Sequence, residues 1–136
     1  IGIVASVQRE FRRDPNNDRL TFYYPEEYAH HVTYQVGGTV FTAVHGHMFK
    51  GQMSGAEKWW AGMATNKLAP GAANVLMAGH FHNMQIANFT EDKWIMFSPA
   101  LEKRSTWLNE RTGKTSAAGM LVYDTTDGKP FNIGVA

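Results

Sequence analysis

The sequence contains no cysteine, which excludes a disulfide framework and a thiolate zinc site. Charged residues make up only 18% of the 136 residues, which argues against a disordered tail. The formal net charge is +1, so the total charge predicts neither a nucleic-acid partner nor a membrane partner. No apolar run approaches the roughly 20 residues that span a bilayer, and we expect no signal peptide. The composition is typical of one globular domain with its own core.

Hydrophobic periodicity predicts many strands and one or two helices. Helices are predicted over 1–13 and 54–68, and Ser54 and Glu57 have the spacing of a capping box at the start of the second helix. Gly37 and Gly38 form a hairpin-type turn between two alternating segments. A turn is predicted at 14–18 and a loop with a short helical piece at 98–114. Strands are predicted at 20–24, 31–36, 39–44, 74–79, 84–89, 93–97, 119–124 and 130–135. This order indicates an α/β sheet protein, with the site beyond the C-terminal ends of its strands.

Four of the six histidines occur in two His-x-His pairs, and each pair follows a predicted strand. His45 and His47 form the first pair, and His80 and His82 form the second. Alternate residues of an extended chain point the same way, so both rings of a pair can face one metal or two neighbouring metals. Neutral imidazole binds Zn, Mn, Fe and Ni. The pattern therefore predicts a metal site, with surface or capping histidines as the alternative.

Other conspicuous side chains have simpler interpretations. His30 and His31 are adjacent and would point to opposite faces of a strand, so we interpret them as structural. Trp59 and Trp60 are interpreted as packing between a helix and the sheet rather than as a platform for stacking bases.

The segments AGHFHN and FTAVHGHMF resemble two motifs of the calcineurin-like metallophosphoesterases. AGHFHN resembles the Gly-His-x-His motif that closes the site of that family. FTAVHGHMF resembles the preceding motif, in which an apolar strand ends in a single histidine. With the segment IMFSPALEKRS and the final hairpin, the resemblance covers about residues 31–125. It extends in particular to phage and bacterial members related to the nuclease subunit of double-strand-break repair complexes.

The resemblance implies a part of a layered α/β/β/α metallophosphoesterase sandwich, with a mixed sheet and antiparallel hairpins. It implies two divalent metal ions, with Mn favoured and Zn or Fe as alternatives. His45 and His80 would bind one metal and His82 the other, while His47 would have a catalytic contact to phosphate. The implied reaction is hydrolysis of a phosphoester, by a phosphodiesterase or a nuclease. The implied location is the cytoplasm, that of a bacterial host if the protein is encoded by a phage.

Three other motifs of the family are missing from the sequence: Asp-x-His, Gly-Asp and Gly-Asn-His-Asp/Glu. In the family these motifs come earlier and supply a bridging aspartate, an asparagine ligand and the catalytic histidine. The first residue is isoleucine rather than methionine. We therefore expect residues 1–136 to be a single domain that is the C-terminal half of a longer metallophosphoesterase domain. The missing N-terminal half, or a partner chain, would supply the Asp, Asn and His ligands.

The segment SPALEKRSTWLNERTGK suggests DNA as the substrate, because it resembles the repair-nuclease branch and gathers cations after the site. These cations are Lys103, Arg104, Arg111 and Lys114. Arg104 is predicted to contact the phosphate backbone and Trp107 to stack on a base. A solvated loop with a buried Trp107 is the alternative. Two other functions also remain open: a non-catalytic scaffold or binding module with the same fold, and a small histidine-metal protein unrelated to the family.

Overall fold

The computed structural model describes residues 2–14, 20–102, 110, 113 and 117–136. Within them, helix α1 spans Gly2–Arg12, helix α2 spans Met53–Thr65, and a 3-10 turn spans Ala69–Ala72. The described strands are β1 His31–Val36, β2 Thr39–Val44, β3 Val75–Ala78, β4 Gln85–Thr90, β5 Lys93–Phe97, β6 Leu121–Thr126 and β7 Lys129–Val135. In this part of the chain, no helix has the length and apolar character needed to cross a membrane.

Five strands form one mixed sheet in the order β1-β2-β3-β5-β4. The three central strands β2, β3 and β5 run parallel, while the β1–β2 and β4–β5 hairpins are antiparallel. The β1–β2 hairpin turns at Gly37 and Gly38 as predicted, and the positive φ of 55° at Gly37 suits glycine. Strands β6 and β7 form a separate hairpin. The predicted class, α/β with a mixed sheet and antiparallel hairpins, is confirmed.

The sheet is covered on both faces. Helix α2 packs on one face, where Trp60 is buried with side chains from β3 and β5. The β6–β7 hairpin covers part of the other face, where Tyr123 packs against a second buried cluster. Neighbouring residues of a strand point to opposite faces, and β5 accordingly sends Ile95 and Phe97 to the first cluster and Met96 to the second. The layers are therefore helix, sheet and hairpin.

Two sequence predictions about local structure are wrong. Residues 20–24 are not a strand, and their aromatic side chains pack on neighbouring elements instead. Between ring centroids, Phe22 lies 6.2 Å from Phe11, and Tyr23 stacks on Tyr34 at 5.1 Å. The capping box of α2 does not form, because the helix begins one residue earlier than Ser54 and has no side-chain cap. The Ser54 hydroxyl instead donates a hydrogen bond to the Gly51 carbonyl at 3.1 Å.

Candidate metal centre

Two parallel strands deliver histidines to the same edge of the sheet. Strands β2 and β3 pair in register up to Val44 and Ala78, so their C-terminal ends lie side by side. His45 follows the first strand directly, and His80 follows the second after one glycine. The centroids of the two imidazole rings are 4.9 Å apart. His45 and His80, which sequence reasoning chose from separate segments, are therefore neighbours in the fold.

The closest approach within this pair joins His45 Nε2 and His80 Nδ1, which are 3.1 Å apart. Two imidazole nitrogens that bind one tetrahedral metal at about 2.0–2.1 Å lie about 3.3 Å from each other. The observed distance is thus short enough for a hydrogen bond between the rings and also close to the spacing of two ligands on one metal. The geometry fits the assignment of both histidines to the same ion.

Two more rings complete what we call the histidine edge, which consists of His30, His45, His47 and His80. His47 lies 5.6 Å from His45 and 6.4 Å from His80, measured between ring centroids. His30 meets His47 edge-on at 5.6 Å. Sequence reasoning interpreted His30 as structural and missed this position. The signal was present in the predicted hairpin, because pairing His31 with Val44 places His30 opposite His45.

The backbone of the histidine pairs is not extended, contrary to the reasoning that first linked them. His80 has a φ of 68° and His82 a φ of 51°, both in the left-handed region that residues other than glycine rarely adopt. Gly46 has a φ of 99°, and a Cβ there would lie 3.2 Å from the Gly79 carbonyl oxygen. The two loops therefore touch at their glycines. Non-glycine residues held in this conformation cluster at functional sites.

His82 differs from the histidines of the edge because it is partly buried. Its Nδ1 atom is inaccessible to solvent and has no hydrogen-bond partner among the described residues. A buried polar atom without a partner is costly, and such atoms in native proteins often mark a role in ligand binding. Gln85, three residues later, donates a hydrogen bond to the Gln52 side chain at 2.7 Å, which ties the two histidine-bearing loops together.

The surroundings of His80 favour its neutral ring. Desolvation lowers the pKa of His80, and the charges of His45, His47 and His82 lower it further. A metal binds the neutral form of imidazole, because the protonated ring has no lone pair to offer. Desolvation and the neighbouring histidines thus both favour the form of His80 that can act as a ligand.

The histidine edge fits a metal only in part. Across the described ranges, no three His, Asp or Glu side chains are arranged to hold a metal ion. His45 and His80 have suitable spacing, but no carboxylate of the described residues completes a metal site with them. The predicted substrate residues Arg104 and Trp107 lie outside the residues that the structure describes, as do Lys103, Arg111 and Lys114.

No protein-family model and no curated protein matches this sequence. Among solved structures, the chain is similar to a single mutant of Vps29 from Entamoeba histolytica, with 12% identity and a TM-score of 0.54 over 79% of this chain and 54% of that chain. A double mutant of the same protein has 10% identity and a TM-score of 0.52, and the match covers 76% of this chain and 53% of that chain. Vacuolar Protein Sorting 29 from Cryptosporidium parvum has 16% identity and a TM-score of 0.49, and the match covers 90% of this chain and 65% of that chain.

The chain therefore shares the metallophosphoesterase fold of the Entamoeba Vps29 structures. This agrees with the resemblance that AGHFHN and FTAVHGHMF carry in the sequence. The chain spans about half the length of the Entamoeba structures that it matches. At this level of identity the likeness extends to the fold alone. The predicted relation to repair-nuclease subunits, and the metals themselves, stay predictions.

Proposed function

We propose that this chain supplies the histidine ligands of a metal-dependent phosphoester hydrolase. The observation that carries the proposal is the 3.1 Å separation of His45 Nε2 and His80 Nδ1 at the paired ends of two parallel strands. Open α/β sheets place their ligands at such edges. The remaining Asp, Asn and His ligands would come from a preceding segment or from a partner chain. Mn would be the favoured metal, with Zn or Fe as alternatives, since mixed imidazole and carboxylate donors suit these ions.

The residues of the edge take different roles in this proposal. His45 and His80 would hold one metal, and His82 would hold the second. When bound, the metals would supply Lewis-acid polarisation of the phosphoester. His47 lies 5.6 Å from His45 and His30 lies 5.6 Å from His47, both measured between ring centroids, which suits donation of N–H groups to phosphate oxygens. His47 would therefore position the phosphate and stabilise its developing charge.

A non-catalytic binding module is the second candidate function. Two observations favour it: the described residues hold no complete set of metal ligands, and the similar structures are of a protein named for vacuolar sorting rather than for hydrolysis. For these 136 residues taken alone, a binding module is better supported than catalysis. The two functions differ in what the gene encodes upstream, since the hydrolase needs intact acidic ligand motifs there.

Hydrolysis of bis-p-nitrophenyl phosphate separates the two functions. We expect the product of the whole gene to release p-nitrophenol with added Mn²⁺, and EDTA to abolish the release. His45→Ala and His80→Ala should lose the activity, because each removes a ligand. His31→Gln is the matched control, because His31 is not part of the histidine edge. Its ring lies beside Trp59 instead, with 6.2 Å between the two ring centroids. A product that carries all upstream motifs and shows no Mn²⁺-, Zn²⁺- or Fe²⁺-dependent hydrolysis would favour the binding module.

Metal binding by the 136-residue chain provides an independent measurement. We expect weak Mn²⁺ binding and no hydrolysis, because histidines without carboxylates leave each metal short of ligands. Isothermal titration calorimetry measures this directly. Nanomolar affinity for Mn²⁺ would instead indicate a self-contained histidine-metal protein, and the partner ligands would then be unnecessary.

A further inference from the structure

A second concave surface, which we call the α2 groove, lies on the outer side of helix α2. It has a volume of about 580 Å³, and its lining includes Met48, Lys50, Lys58, Trp59, Met63 and Leu68. This volume lies within the range of about 300–1,000 Å³ that is usual for small-molecule sites. Met48 follows His47 directly, so the groove begins next to the histidine edge.

The floor of the α2 groove contains an aromatic ring that the core does not fully cover. Trp60 is 1% exposed and belongs to the core, but its neighbour Trp59 is only partly buried. Successive helix residues point about 100° apart, so the two indoles face different surroundings. The Trp59 ring contacts the rings of Phe49 and His31, at 5.5 Å and 6.2 Å between centroids, and it also lines the groove. Both tryptophans pack in or against the core, as predicted, but Trp59 is only partly buried and also lines the groove.

The rim of the α2 groove carries positive charge. Lys50 and Lys58 are both exposed, and neither has an ion pair with a described residue. No acidic side chain is among the described residues that line the groove. Gly55 helps to build this rim, since a Cβ there would lie 2.4 Å from the Lys50 carbonyl oxygen. Glycine at this position thus lets the backbone of Lys50 pack directly on α2.

We propose that the α2 groove binds single-stranded nucleic acid, with a base stacked on Trp59 and phosphates beside Lys50 and Lys58. An aromatic surface next to unpaired lysines is the combination with which proteins bind single strands. The proposal rests on the proposed hydrolase activity in one respect, because it identifies the phosphoester at the histidine edge as part of a nucleic acid. An acidic peptide is the competing occupant, since it would match the charge of the rim but would not need a stacking surface.

Fluorescence anisotropy with a labelled oligothymidylate of about ten nucleotides tests the proposal, in EDTA so that hydrolysis is excluded. We expect the wild-type protein to bind. The double variant Lys50→Gln/Lys58→Gln should flatten the slope of log K against log salt by about 1.4, since each phosphate contact on a single strand contributes about 0.7. Lys67→Gln is the control, because Lys67 is exposed beyond the end of α2 and does not line the groove. No binding by the wild type, or an unchanged slope in the double variant, would overturn the proposal.

Gly62 allows the groove to be blocked without disturbing the core. It lines the groove, and a Cβ built there meets no atom within 4 Å. Gly62→Leu should therefore fold at least as well as the wild type, because glycine is unfavourable inside a helix. It should weaken oligothymidylate binding by about tenfold or more, as expected for the loss of one stacked base, while Gly62→Ala should bind like the wild type. Wild-type affinity in Gly62→Leu, or equal displacement by a polyglutamate peptide, would refute nucleic-acid binding in the groove.

The small substrate bis-p-nitrophenyl phosphate separates this proposal from the hydrolase itself. Gly62→Leu should keep its hydrolysis by the whole gene product and lose nucleic-acid binding. His45→Ala should lose hydrolysis and keep nucleic-acid binding. Oligothymidylate binding without hydrolysis in any form of the protein would refute the hydrolase alone, while hydrolysis without binding would refute the groove proposal alone.

Discussion

Replacement of Lys93 by methionine should destabilise the protein far more than its position at the start of a hairpin strand suggests. The Lys93 ammonium donates hydrogen bonds to the carbonyl oxygens of Gly71 at 2.8 Å and Ala73 at 2.7 Å. It also lies 4.9 Å from the centroid of the Trp60 ring. One side chain thus joins β5 to the 3-10 turn and to α2. Lys93→Met keeps the apolar stem and removes all of the polar contacts.

The size of the loss follows from these contacts. Hydrogen bonds from a charged group contribute about 1.5–3 kcal/mol each, and a partly desolvated cation–π contact contributes about 0.5–2 kcal/mol. The contributions do not add fully, because one ammonium makes them all. Burial also lowers the pKa of Lys93, although the charge of Asp92 raises it. Desolvation of the cation therefore offsets part of the gain, and we expect a loss of about 2–4 kcal/mol in the free energy of unfolding.

Urea unfolding followed by far-ultraviolet circular dichroism measures this difference, provided that the m-value is unchanged. Lys129→Met is the matched control. Lys129 occupies the same place after the turn of the β6–β7 hairpin but is exposed, so its replacement should change stability by less than about 0.5 kcal/mol. If Lys93→Met lost no more stability than Lys129→Met, the three contacts would have no net value and the reasoning would be refuted.

Three further predictions concern the core and the loops. Burial raises the pKa of Tyr123 to about 12, so the fold favours its neutral form. This contribution to stability should be complete below pH 10.0 and fall as pH rises towards 12. Urea titrations at several pH values should show a weaker dependence in Tyr123→Phe, and the remainder would come from Tyr34, whose pKa burial also raises. Trp60→Phe should lower the free energy of unfolding by about 2–4 kcal/mol, because the indole N–H donates a hydrogen bond to the Pro70 carbonyl at 2.6 Å in the core. An unchanged melting temperature would contradict this. Gln52 has φ 57° and ψ −110°, a backbone conformation that glycine adopts without strain. Both Gln52→Gly and Gln52→Ala lose the hydrogen bond to Gln85, so Gln52→Gly should be the more stable of the two by about 1 kcal/mol in urea unfolding. Equal stability of the two variants would argue against strain at Gln52.

The parts of the fold that sequence predicted well depend on local patterns. The β1–β2 hairpin could be predicted because alternation and the Gly37–Gly38 turn both lie within a short window. The final hairpin followed in the same way. The edge on which His45 and His80 meet could be predicted because buried strands joined by a helix usually run parallel. These features therefore needed no knowledge of tertiary contacts.

The parts that sequence missed depend on contacts between distant segments. Residues 20–24 have strand-like composition, but no neighbouring strand pairs with them, and Tyr23 stacks on Tyr34 instead. The predicted hairpin brings His30 to this edge, but its contact with His47 also needs a loop conformation that composition does not encode. The sequence also did not predict the positive φ at His82, because the loop adopts this conformation only within the folded protein.

The left-handed backbone at His80 and His82 sets stability against the proposed hydrolase activity. Glycine would adopt these φ values of 68° and 51° without strain, whereas other residues there lose about 1–3 kcal/mol. At His82, glycine would also remove a buried nitrogen that has no hydrogen-bond partner within the described chain. A library selected only for folded protein should therefore drift towards glycine at both positions, while selection for metal-dependent hydrolysis should retain histidine. Thermostabilised variants obtained without an activity screen would then lose His80 and His82 first.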